Sequence, residues 1–146
     1  MSIEVRNLNK RFGLSENYIK TIVKDILKIL KRPSHTKLEI IFLSDTAMRP
    51  INKRFKHRDS TTDVLSFKLD GLGEVVISSD TALKNSRIFG TYFEKELVLY
   101  VIHGILHFLG YEDATAAERR RMSKKENVIL ELLCKKKNLS KVLTPR

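Results

Sequence analysis

The chain has 146 residues, a formal net charge of +11 and a single cysteine, Cys134. An intramolecular disulfide is excluded, no apolar run approaches the ~20 residues of a membrane span, and the length suits one domain with a core of its own. The excess of Lys and Arg points to a polyanionic partner, of which nucleic acid is the commonest inside a cell.

In chain order, Ile3 and Val5 alternate with Glu4 and Arg6 in a short strand. Ser15 can cap a helix whose apolar stripe is Ile19, Ile22, Val23, Ile26, Leu27 and Leu30, ending near Arg32-Pro33. "KLEIIFL" reads as a strand stopped by Ser44-Asp45. A short helix over 46–56 has Pro50 inside it, which should kink it or delay its start. "TTDVLSF" and "EVVIS" are strands separated by Gly71 and Gly73, and Ser79-Asp80 can begin a helix that stops before Gly90. Thr91 and Glu94 have capping-box spacing for the next helix, which runs to Gly110. Thr115 and Glu118 repeat that spacing, a last helix reaches about Lys136, and "NLSKVLTPR" reads as a loose tail. The order predicts an α+β (mixed α/β) domain, a small sheet of about four strands flanked by helices. The start, "MSIEVRNLNKRF", has no apolar signal segment, and a lone cysteine fits a reducing cytoplasm.

Chemistry concentrates in "ELVLYVIHGILHFLG". It is apolar nearly all round, as helices in the middle of a domain are. His103 and His107 stand four apart and share one face. A buried imidazole left without partners costs about 1–3 kcal/mol per group, and one metal ion satisfies both. Two separately hydrogen-bonded core histidines are the alternative. The zinc-peptidase pattern H-E-x-x-H has its general base where this chain has Gly104, which disfavours proteolysis. Gly104 also costs about 1 kcal/mol of helix propensity, a cost that close approach of a substrate or backbone, or simple helix packing, would offset. Gly110 should turn the chain back so that Asp113 approaches the histidines as a third ligand, leaving a fourth position open. Glu112 is the rival carboxylate, and helix capping is the structural alternative for Asp113.

Residues 114–146 hold ten Lys/Arg against three Glu. Arg120 and Lys124 are candidates there for a surface that follows phosphates, against the plainer reading of a solvated helix face.

With these residues in view, the chain resembles the YbeY family of metal-dependent endoribonucleases. The family pattern H-G-x-L-H-x-x-G-Y-D-H matches His103 to Asp113, and T-D-V-L-S-F is intact at Thr62 to Phe67. A strand after L-G-[DE] matches Leu72-Gly73-Glu74. The resemblance implies a small mixed sheet with a zinc ion at the end of a central helix, held by His103, His107 and Asp113. It implies action on single-stranded RNA, in 16S rRNA 3′-end maturation and ribosome quality control, with the ribosomal subunit as partner. Two departures stand out. The third histidine of the family is Asp113 here, which lowers the site charge by one. The Arg that the family carries after N-x-x-[YF] is Lys56, which keeps the charge but not the bidentate fork. Lys56 and Arg58 are therefore the candidate catalytic cations, and Arg54 a further RNA-binding one. A non-catalytic rRNA-binding factor with a structural zinc is the alternative function.

Overall fold

The computed structural model describes residues 1–32, 35–57 and 62–145. Four strands form one sheet: β1 (Ser2–Asn7), β2 (Lys37–Leu43), β3 (Val64–Leu69) and β4 (Leu72–Ser78), in the order β1-β2-β4-β3. β1, β2 and β4 run parallel, and β3 returns antiparallel along β4. The reversal between β3 and β4 is made at Asp70 and Gly71, both at positive φ, the backbone a tight hairpin requires. This antiparallel hairpin leaves β3 at the edge of the sheet.

The α-helices among the described residues are α1 (Glu16–Ile29), α2 (Asp45–Lys56), α3 (Ser79–Phe89), α4 (Phe93–Phe108) and α5 (Ala116–Lys136). The strands are two-faced, and the apolar residues of each face decide what covers it. Ile3, Val5, Leu38, Ile40, Phe42, Val75 and Ile77 point to the main core, where the stripes of α1, α4 and α5 meet them. Leu65 and Val76 point the other way and pack under Met48 of α2. The sheet thus has α1, α4 and α5 on one side and α2 on the other. No helix among the described residues is long and apolar enough to cross a membrane.

Most helix starts follow the caps read from sequence. Ser15 accepts from the Tyr18 amide, and Thr115 and Glu118 form a complete capping box. α3 begins at Ser79 and stops before Gly90 as expected, with Ser78 as its cap. Three details differ. α2 begins at Asp45 and carries Pro50 within its length instead of being delayed by it. At α4 the Thr91–Glu94 box does not form: the cap position is Tyr92, and the Thr91 hydroxyl donates to Glu96 at 2.9 Å. Glu96 is buried and takes the Thr91 hydroxyl in place of the half-buried Glu94. The tail is not loose. A 3-10 helix, Leu139–Val142, buries Leu139 and Val142 in the main core, and Leu143 bridges to Leu14. Two apolar anchors outweigh the polar composition of the segment.

Candidate metal centre and its cleft

α4 ends where its sequence provides a glycine. Gly110 has φ +100, its amide bonds to the His107 carbonyl, and the Tyr111 amide bonds to Leu106, both at 3.0 Å. This is a Schellman closure, which needs a left-handed residue at that position. It returns the chain toward the last two turns of α4, where the histidines lie. Asp113 thereby comes within 3.1 Å of His107 Nε2 and 3.5 Å of His103 Nε2 through its Oδ2. The two Nε2 atoms are 3.1 Å apart. Four ligands held ~2.0–2.1 Å from one ion at tetrahedral angles lie roughly 3.3 Å from each other. The three atoms therefore sit like one face of such a tetrahedron, and His103, His107 and Asp113 form a group that could hold a metal ion. Glu112 does not join it: it lies in a separate surface recess with Tyr111, Glu118 and Arg121.

Sequence reasoning missed Glu126. Its carboxylate is in close contact with His103 Nδ1 and is itself only 13% exposed. A carboxylate there fixes the tautomer with hydrogen on Nδ1, leaving Nε2 free for a cation, as partners of metal-bound histidines do. A signal was present. Met122, Glu126, Ile129, Leu130 and Leu133 share the inward stripe of α5, and Glu126 is an acidic residue between its buried apolar members. The surroundings favour positive charge. Burial pulls the His103 pKa down, but the hydrogen bond and charge of Glu126, with Asp63 and Asp113, carry it above the ordinary histidine value.

The position of Gly104 is explained by packing. A Cβ built there would stand 2.3 Å from Cγ1 of Val75 and 3.1 Å from Cγ1 of Val64. α4 is pressed against β3 and β4 at this point, and the Ser66 hydroxyl donates to the Gly104 carbonyl at 2.9 Å. The same contact leaves no room at position 104 for the glutamate of a zinc peptidase.

Beside the metal group lies a cleft of about 570 Å³. Its floor is the edge strand β3 from Val64 to Lys68, with Thr62 and Asp63 just before it. One wall is α4 with His103, His107 and Phe108, and the other is α2 with Asn52 and Lys56. The "TDVLSF" segment thus runs beside the histidines. Lys56 faces the cleft, together with Asn52 one helical turn earlier and with Lys68, neither of which the sequence singled out. Lys56 and Lys68 make no ion pair with any described residue. Arg54 is exposed on α2 with its guanidinium 5.5 Å from the Phe55 ring centre, outside the cleft lining. Arg120 and Lys124 are exposed on α5, also outside it. Arg58 lies outside the described residues.

Comparison with known proteins agrees with this architecture. The family model described as Endoribonuclease YbeY matches residues 4–134. Proteins named Endoribonuclease YbeY from Desulforamulus reducens and Geobacter metallireducens are 33% and 32% identical. Each comparison covers 91% of this chain, with 97% and 96% of the respective relative. The solution structure of TM1509 from Thermotoga maritima superposes with a TM-score of 0.67 at 27% identity, over 92% of this chain and 90% of that one. With a match over nearly its whole length, the chain belongs to the YbeY family.

Proposed function

We propose that this protein is a zinc-dependent endoribonuclease that cuts single-stranded RNA, working as one domain in the cytoplasm. Its setting is 16S rRNA 3′-end maturation and ribosome quality control, with the ribosomal subunit as partner. The observation that supports this best is the junction of three converging ligand atoms, from His103, His107 and Asp113, with a cleft that runs along an open strand edge and has lysines facing it. The donor set of two imidazoles and a carboxylate suits zinc, and three protein ligands are what catalytic zinc sites use.

His103, His107 and Asp113 would hold the ion, and Glu126 would fix the His103 ring. Bound there, zinc supplies a Lewis-acid charge for the scissile phosphate. The remaining roles belong to the chain. The edge of β3 offers backbone groups along which an extended strand can lie. Lys56, with Arg58, stabilises the negative charge that builds on the phosphate oxygens as the bond breaks. Arg54, Arg120 and Lys124 hold more distant phosphates and draw RNA to the surface without regard to sequence.

The test is cleavage of matched single-stranded and duplex RNAs by the purified protein and by His103→Ala, His107→Ala and Lys56→Ala. Cutting of the single strand, lost in both histidine variants, is expected. Lys56→Ala should lower kcat more than it weakens binding. RNA binding without cleavage under all metal conditions would favour the binding-factor reading, to which the exposed, basic α5 is equally suited.

A further inference from the structure

Lys68 lies on β3, where no feature of the sequence drew notice to it. Residues 64, 66 and 68 of this strand face α4. Val64 lies against Gly104, Ser66 donates to the Gly104 carbonyl, and the Lys68 ammonium stands 5.5 Å from the centre of the Phe108 ring. Phe108 directly follows His107. Lys68 lines the same cleft as His103, His107, Asp113 and Lys56. It has no carboxylate partner among the described residues, so its charge is available to a ligand. The aromatic face beneath it limits the directions the ammonium can take.

The strand sets the spacing. Ser66 is bonded to the carbonyl of Gly104, which directly follows His103, and Lys68 is two residues further along. At ~3.3 Å per residue this is roughly 6.6 Å. Neighbouring phosphates of an extended single strand are separated by about that distance. A strand lying along the β3 edge with one phosphate at the metal group would bring its next phosphate to Lys68.

We propose that Lys68 is a second phosphate subsite, one nucleotide along the β3 edge from the metal centre. It holds the phosphate next to the scissile one and so sets the register of the RNA. The proposal rests on the ribonuclease reading above. A lysine serves as a point charge for a phosphate oxygen and needs no fork geometry.

The experiment measures binding of a 2′-O-methyl hexanucleotide, which has no free 2′-hydroxyl, by fluorescence anisotropy across a salt series. The variants are Lys68→Met and Lys68→Arg in the zinc-loaded protein. Methionine keeps a flexible chain on the Phe108 ring and removes the charge, while arginine restores the charge. Lys68→Met should weaken binding about tenfold. It should also lessen the slope of log affinity against log salt by about 0.7, the change for one phosphate contact on a single strand. Lys68→Arg should bind within about twofold of the unaltered chain, and zinc content and Tm should be unchanged in both. Affinity and slope equal to those of the unaltered protein in Lys68→Met would overturn the subsite and leave the ribonuclease reading standing. Failure of the unaltered protein to bind the hexanucleotide would overturn both.

Discussion

Gly104 stands between the two histidines, and its replacement by alanine sets two physical effects against each other. Alanine is favoured over glycine inside a helix by about 1 kcal/mol, so propensity alone predicts a more stable protein. Packing predicts the reverse. The new Cβ would meet Val75 Cγ1 at 2.3 Å, where carbon atoms rest at ~3.5–4.0 Å, a shortfall of more than an ångström. Val75 is fully buried on β4, so the helix has to lift. Overpacking of this kind costs up to about 3 kcal/mol. The difference leaves Gly104→Ala about 2 kcal/mol less stable, or roughly 4–8 °C lower in Tm for a chain of this size. Denaturant titration and thermal unfolding of metal-free protein measure it. Lifting α4 also moves both imidazoles relative to Asp113 and Glu126, so zinc affinity should fall as well. An unchanged or raised Tm would refute the packing explanation of this glycine.

Three further outcomes are expected. Asp113→Ala should lose most of its zinc while Glu112→Ala keeps it, as read by metal content per chain, because only Asp113 reaches the two Nε2 atoms. Glu126→Ala should weaken zinc binding roughly 10–100-fold in a competition titration with a chelator, and Glu126→Gln should recover part of that loss. Val142→Ala should destabilise the fold by about 2 kcal/mol in denaturant titration, since Val142 is fully buried; a freely moving tail would give no change.

The metal group was legible because its parts are local. A four-residue spacing, a glycine stop and a carboxylate three residues beyond it determine the geometry without knowledge of the tertiary fold. The purpose of Gly104 was not legible, since its neighbours Val64 and Val75 come from two strands distant in sequence. Glu126 lies 23 residues from His103, and only the inward stripe of α5 marks it. Lys68 escaped for a related reason: a lysine on an edge strand looks solvated until α4 is seen beside it. The sheet was predicted in number but not in order, because β3 pairs with β4 through a hairpin while β2 and β4 meet only after an intervening helix and strand. The tail was misjudged because two apolar side chains in a polar segment give no periodicity to read.

The central claim, that a single metal ion at His103, His107 and Asp113 enables RNA cleavage, is tested most directly by titrating zinc into chelator-treated protein while following cleavage of a single-stranded RNA. The expected result is no cutting in the metal-free protein and a rise that levels off at one zinc per chain. Undiminished cutting after chelation, or a rise that continues unchanged in the His107→Ala variant, would contradict it.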